Sequence, residues 1–320
     1  MRFRLLALLA ALSVPYTVSA AAPTIKGYMF GDYYCVASGP DKEENSFRFG
    51  RIYLTFNKKW ENAFSGRFRL EASDAGFGAN SKMTPVVKDA WLSYKKEGKT
   101  LMVGLIPTPT WGITEAVWGY RPVAKTFMDR NKLGASRDTG LSFDTRLDSE
   151  GRVSALVMFG NGNSNKSEID THKKAYLRLK FDLSENVGTT AYADYETRPG
   201  DQDQLTLSSL LYLSAKDRAF GLLGAWQKRK NAVGGVDAVA KGFSVSGRVK
   251  TREDFGLYGR FDYFDPSDLA SDDSIIRGYA GVDLAVTKEI HVMPNVSLES
   301  FEASTLESIV IPSVTLYFKF

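Results

Sequence analysis

Hydrophobic and polar residues alternate along most of this chain with a period of two. In one such segment, Phe68 and Leu70 fall on one side, whereas Arg67 and Arg69 fall on the other. Residues 174–181 repeat the pattern, and helical spacing prevails over no long stretch. Because successive side chains of a β-strand point to opposite faces, the pattern predicts strands with one apolar and one polar face.

Sixteen segments show this alternation. They cover residues 24–34, 46–57, 62–73, 86–96, 100–107, 137–147, 152–160, 172–183, 187–196, 203–214, 219–228, 239–249, 255–265, 275–287, 290–303 and 308–320. Short polar turns alternate with generally longer connections rich in Gly, Asn, Asp and Ser. The longer set includes residues 35–45, 74–85, 108–136, 161–171, 229–238 and 264–274. An even strand count with this alternation is typical of an antiparallel membrane barrel, whose termini and short turns share one end.

A sheet can cross a bilayer only when it closes on itself, because lipid offers no partner for unpaired backbone groups. The sequence therefore predicts an all-β fold, a closed antiparallel transmembrane β-barrel of about 16 strands over residues 21–320. The apolar faces would contact lipid, and the polar faces would line a lumen too wide for side chains to fill. The alternative, a secreted soluble sandwich or β-helix, would not need so many charged strand faces, and no fixed-length repeat is present.

The first twenty residues have the three parts of a secretory signal peptide. Arg2 and Arg4 precede an apolar run over residues 5–14, and small residues end at Ala20. This pattern predicts cleavage near Ala21, and a buried N-terminal helix is the alternative. No later stretch reaches 18 consecutive apolar residues, so we expect no transmembrane helix in the mature chain.

The amino-acid composition argues against several classes of function. Lys and Arg total 41 against 37 Asp and Glu, a near balance that does not favour a nucleic-acid partner. A single cysteine, Cys35, allows no intrachain disulfide and no cysteine-built metal site. The two histidines, His172 and His291, match no metal or catalytic spacing, and the acidic stretch 265–273 lacks the pattern of a calcium loop. We therefore expect no enzyme activity, no catalytic residue, no metal and no cofactor.

Six short passages carry a resemblance to a known family. They are residues 49–54 (Phe-Gly-Arg-Ile-Tyr-Leu), 88–94 (Lys-Asp-Ala-Trp-Leu-Ser-Tyr), 103–104 (Val-Gly), 136–140 (Ser-Arg-Asp-Thr-Gly), 159–163 (Phe-Gly-Asn-Gly-Asn) and 259–266 (Gly-Arg-Phe-Asp-Tyr-Phe-Asp-Pro). Their order resembles bacterial outer-membrane porins, above all the phosphate-selective porin family and its relatives. The resemblance implies a sixteen-stranded barrel, usually a homotrimer, in the lipopolysaccharide-bearing outer membrane, through which small hydrophilic solutes or ions diffuse. It does not by itself imply phosphate.

The longest connection, residues 108–136, is the third one at the outer end. Its many aromatic residues predict that it folds against something. In porins the corresponding loop bends into the barrel, so the resemblance implies a pore constriction here. The alternative is an external loop packed on neighbouring loops or on another subunit. The predicted constriction residues are Trp111, Glu115, Trp118, Tyr120, Arg121, Lys125, Arg130 and Lys132.

Alternation also assigns residues to the lumen wall. The predicted lining includes Arg51, Arg67, Arg69, Glu71, Arg178, Arg260, Asp262 and Arg277. Acidic and basic positions nearly balance along the strands, whereas basic residues outnumber acidic ones in the long connection. Because salt screens charges beyond about 8–10 Å, charges at the narrowest point dominate, which predicts a mild preference for anions. The alternative function is a barrel with a mainly adhesive or structural role.

The last strand ends on an aromatic carboxy terminus. Val314, Leu316, Phe318 and Phe320 alternate with polar positions. Phe318 and Phe320 resemble the signal by which barrels are handed to the outer-membrane assembly machinery. The alternative is an ordinary last strand, because aromatic residues are enriched in strands.

Overall fold

The computed structural model describes residues 22–73 and 83–320. Within these ranges sixteen antiparallel strands form a closed barrel in which each strand pairs with its sequence neighbours and the last pairs with the first. The predicted architecture is thus confirmed, while the predicted signal peptide lies outside the described residues. The strands are β1 (Thr24–Cys35), β2 (Asn45–Lys59), β3 (Phe64–Ser73), β4 (Val86–Lys96), β5 (Lys99–Pro107), β6 (Arg137–Arg146), β7 (Val153–Gly160), β8 (Lys174–Asp182), β9 (Val187–Glu196), β10 (Gln204–Ser214), β11 (Arg218–Val233), β12 (Val236–Arg252), β13 (Phe255–Asp265), β14 (Ile275–Ala285), β15 (Ile290–Phe301) and β16 (Ile309–Lys319).

The connections alternate in length as predicted, with one exception. Residues 229–238 were expected to form a long outer loop, but β11 and β12 continue through them and leave a turn at Gly234 and Gly235. Both glycines have positive φ, 57° and 84°. Two successive residues of this kind match the right-handed twist of a hairpin, so the strands extend to the turn.

The two faces of the strands differ in exposure. On β13, Leu257 is 46% exposed, whereas the adjacent Tyr258 is 5% exposed. The exposed face is largely apolar along the described strands and includes Val103, Leu141 and Phe261. Such a surface suits lipid on the outside of a closed barrel. No helix in the described ranges is long and apolar enough to cross a membrane.

The connection between β5 and β6 contains two helices, α1 (Trp111–Trp118) and α2 (Phe127–Arg130). Their buried side chains form one core with residues on the inward faces of β7 to β13. Met158, Leu210 and Leu223 belong to this core. The expectation that polar faces line the whole lumen is therefore wrong on this side, because the connection supplies apolar partners that keep these inward positions dry. A 3₁₀ turn at Pro199–Asp201 precedes β10.

Candidate functional site

Two buried tryptophans anchor the connection of residues 108–136 through hydrogen bonds of their indole groups. Trp111 is 2% exposed and its indole Nε1 donates a hydrogen bond to the carbonyl oxygen of Ala135, at the other end of the connection. Trp118 is equally buried, and its Nε1 donates to the carbonyl oxygen of Ala124 at 3.0 Å. Both were predicted at the constriction, yet their burial gives them a packing role and no direct contact with solutes.

Polar contacts join this connection to inward side chains of distant strands. The Tyr120 hydroxyl donates to Asp283 on β14 at 3.2 Å, and its ring stacks on Tyr258 at 3.7 Å. Arg130 donates to Glu299 on β15 at 3.1 Å. Farther round the barrel, α1 contacts β10, β11 and β12. The connection therefore starts between β5 and β6 and is held by side chains from β10 to β15.

Two cavities remain beside this connection, along the wall that includes β1, β2 and β3. The larger measures about 480 Å³ and the smaller about 230 Å³. Three basic residues, Arg51, Arg121 and Lys125, line both cavities. Arg51 comes from β2, and the other two come from the connection. These three side chains therefore lie where the two water-accessible spaces meet.

The smaller cavity is predominantly basic. Six of its lining residues are Lys or Arg, and two, Glu115 and Asp129, are acidic. The basic ones are Arg51, Arg69, Lys88, Arg121, Lys125 and Arg137. Sequence reasoning missed Lys88 and Arg137 as site residues, although both lie in the quoted resemblance passages, because each lies near a strand end where alternation gives no reliable face.

Buried carboxylates hold the wall arginines in place. Asp89 on β4 is fully buried and contacts Arg67 at 3.9 Å and Arg69 at 3.3 Å. Arg137 donates to the other oxygen of the same carboxylate. One negative charge thus fixes three guanidinium groups, which leaves an excess of positive charge on this wall.

Glu71 plays a similar part on β3. It contacts Arg51 at 3.6 Å and Lys88 at 3.2 Å. The Arg51 guanidinium also donates to the Tyr53 hydroxyl at 3.0 Å. The structure therefore brings together on one wall the predicted lining residues Arg51, Arg67, Arg69 and Glu71. Two carboxylates on this wall, those of Glu71 and Asp89, contact five basic side chains in total.

The charges on the connection are partly paired. Arg121 contacts Asp129 at 3.2 Å and Glu115 at 3.7 Å. Lys125 is exposed and has no ion pair within the described ranges. Lys132, also exposed, adopts a positive φ of 57° after α2 and lines neither cavity.

Three predicted lining residues lie under the connection instead of facing open water. Arg260 and Asp262 are paired at 3.0 Å with side chains 2% and 0% exposed, and the Trp118 ring lies 4.7 Å from the Arg260 guanidinium. Arg277 donates to Asn131, which follows α2, and contacts Glu299. For these three the simple lining assignment is wrong, because alternation identifies an inward face but not what covers it. Arg178 pairs with Asp144 at 3.2 Å, away from both cavities.

The two C-terminal phenylalanines lie at the strand pair that closes the barrel. Phe318 pairs with Met29 of β1, and the Phe320 ring is 6.2 Å from the Phe318 ring. The described residues include no group of three or more His, Cys, Asp or Glu side chains placed to hold a metal ion.

Comparison with solved structures shows which proteins share this fold. The anion-selective porin from Comamonas acidovorans has 13% identity and a TM-score of 0.67, over 93% of this chain and 99% of that one. The channel DcaP of Acinetobacter baumannii has 12% identity and a TM-score of 0.66, over 93% and 97%. Salmonella typhi OmpF, solved with daunomycin, has 14% identity and a TM-score of 0.67, over 93% and 97%.

The chain has the porin fold. The closed barrel and these neighbours are consistent with a place in the bacterial outer membrane. No family model matches the sequence, and no curated protein matches it either. Membership of the phosphate-selective family therefore stays a prediction.

Proposed function

We propose that this protein is an outer-membrane porin through which small hydrophilic solutes or ions diffuse passively, with a mild preference for anions, and that it has no enzymatic activity. One observation carries the proposal. Two cavities between the connection and the barrel wall are both lined by Arg51, Arg121 and Lys125. A water path that narrows between basic side chains favours anions electrostatically without closing to cations.

The connection determines where the path runs. Its helices fill the side of the lumen next to β7–β13 with packed apolar groups, so solutes pass between the connection and the wall of β1–β4. Arg51 and Arg69 stand on that wall, opposite Arg121 and Lys125. Because both sides of the narrow region are basic, the potential there is positive across the passage.

The preference is mild because most of these cations already have partners. Glu71, Asp89 and Asp129 each contact at least one of them. Paired guanidinium groups attract a passing anion less than free ones, because the neighbouring carboxylate cancels part of their field. The arrangement therefore favours small anions as a class and gives no specific reason for phosphate.

We further propose a homotrimer assembled in the outer membrane by the barrel assembly machinery and surrounded by lipopolysaccharide. Support comes from the fold neighbours, among them a trimer form of Vibrio cholerae OmpT. Chemical cross-linking of the purified protein in mild detergent tests this arrangement, with a three-chain product expected and a single-chain product against it.

Conductance in a planar bilayer tests the channel function. Purified protein should insert with uniform current steps at neutral pH. Protein that folds and inserts but gives no steps would favour the adhesive or structural role. Folding is checked separately by a heat-dependent shift in gel mobility, since a closed hydrogen-bonded barrel resists unfolding until it is heated.

A further inference from the structure

An apolar furrow crosses the outer wall of the barrel on the strands β11 to β15. Its volume is about 720 Å³, and it is shallow and widely open to the outside of the barrel. The furrow lies on the lipid-facing side, because its bordering residues Phe220, Leu257 and Val296 are 48%, 46% and 40% exposed. The two basic cavities lie on the inner face of the barrel, and among their lining residues only Asn295 also borders the furrow.

Small residues in register form the floor of the furrow. Gly247 pairs with Gly259, Gly259 pairs with Ala280, and Ala280 pairs with Val296. The outward side chains at these positions are therefore absent or minimal; the Phe220 ring covers Gly247, and the floor is open at Gly259 and Ala280. Larger outward side chains on either side border the depression. Its walls would lose van der Waals contacts if no molecule entered it, so a chain lying in it is favoured.

Two arginines stand on the same face at the short-turn end. Arg218 is exposed and pairs with Val249 at the border of the furrow. Arg252 is exposed as well and lies over the ring of Phe255. Each has only an exposed contact with a neighbouring aspartate, at 3.9 Å and 3.5 Å, and exposed pairs of this kind hold a charge weakly. Both guanidinium groups can therefore donate hydrogen bonds to a phosphate.

We infer that this furrow holds one phospholipid, with an acyl chain lying over Gly259 and Ala280 beside the Phe220 ring, and the phosphate bound by Arg218 and Arg252. The position of the two arginines identifies this occupant. They lie at one end of the apolar furrow, near the rim of the barrel, so the site suits a molecule with a phosphate head and an apolar tail. The site lies outside the lumen and is independent of the proposed conduction.

The test is lipid binding to purified, delipidated protein, followed by native mass spectrometry during titration with phosphatidylglycerol. The variant combining Gly259→Leu and Ala280→Leu fills the floor; a β-carbon added at position 259 meets no atom closer than 3.6 Å, so the backbone there tolerates a side chain. The matched control is Gly224→Leu, on the outward face of β11, where an added β-carbon meets nothing within 4 Å.

The wild-type protein and Gly224→Leu should each retain one tightly bound phosphatidylglycerol. The filled variant should bind it at least tenfold more weakly, and Arg218→Ala with Arg252→Ala should weaken it as well. Equal binding by the filled variant would overturn the inference. Loss of the oligomer with unchanged lipid binding would also overturn it, because the furrow would then be occupied by a second copy of the chain. A heat-dependent mobility shift confirms that each variant is folded.

Discussion

The ring of Phe320 lies directly over Gly27, at the seam where the last residue of the chain meets the first strand. The two residues exchange backbone hydrogen bonds of 2.8 Å and 3.0 Å, and a side-chain carbon at position 27 would overlap the phenylalanine ring. The closure of the barrel thus depends on a glycine in β1 that leaves room for the C-terminal aromatic ring.

Replacing Gly27 should weaken this seam. A leucine at position 27 displaces the exposed Phe320 ring and also crowds the Tyr53 carbonyl oxygen, 2.8 Å from an added β-carbon, and overpacking against backbone costs about 1–3 kcal/mol. We expect the free energy of unfolding, measured by urea titration of protein folded in lipid vesicles, to fall by that amount. Gly224→Leu is the control, since it adds the same side chain to open space. Equal stability of the two variants would show that the fit of the Phe320 ring over Gly27 does not stabilise the seam.

Deletion of Phe320 tests the assembly signal separately from the seam. If the terminal aromatic residue is read by the assembly machinery, the truncated protein should accumulate in the periplasm. Gly27→Leu retains the terminus and should still reach the membrane, although it is less stable. Fractionation of cells that express each variant measures the difference, and normal membrane yield of the truncated protein would count against the signal.

Loosening the core beneath the connection should widen the pore. Phe127 is 1% exposed and packs against Phe264 with ring centroids 6.0 Å apart. Truncation of such a residue costs about 3–5 kcal/mol, and it removes packing that holds α2 against the wall. We expect Phe127→Ala to raise single-channel conductance and its noise. Phe47→Ala, at a highly exposed ring, is the control, and an unchanged conductance in Phe127→Ala would mean that the connection does not limit the path.

Two buried carboxylates should differ in their effect on selectivity. Asp89 and Asp194 both have fully buried side chains, but Asp89 contacts the basic wall of the passage, whereas Asp194 pairs with Lys174 at 3.0 Å behind the packed core. Asp89→Asn removes a negative charge beside the path, so the reversal potential should shift further towards anions. Asp194→Asn should leave it unchanged. The same shift in both variants would show that the passage is not confined to the β1–β4 side.

Alternation was sufficient to predict the barrel. Strands such as β9 and β11 repeat the contrast seen at Leu257 and Tyr258, because a closed sheet in lipid favours one outward apolar face along each strand. The hairpin at Gly234 and Gly235 escaped prediction, since a polar, glycine-containing stretch is compatible with either a loop or two extended strands.

The site was only partly predictable for a different reason. The two-residue alternation identifies Arg260 as inward. Its burial, however, depends on Trp118, which lies 142 residues earlier in the sequence and comes close only when the connection folds. Arg51 and Arg121 line the same two cavities for the same reason, because the folded connection brings Arg121 close to β2. Contacts between a long connection and a distant wall leave no periodic signal in either segment.

The reversal potential in a salt gradient tests the central claim most directly, because it reports the sign of the charge at the narrowest point of the path. The wild-type channel should prefer anions mildly, and Arg121→Glu combined with Lys125→Glu should move the preference towards cations. A matched variant, Lys132→Glu, changes a basic residue of the same connection outside both cavities and should have little effect. A wild-type channel that prefers cations, or a double variant with an unchanged reversal potential, would contradict a passage lined by Arg51, Arg121 and Lys125.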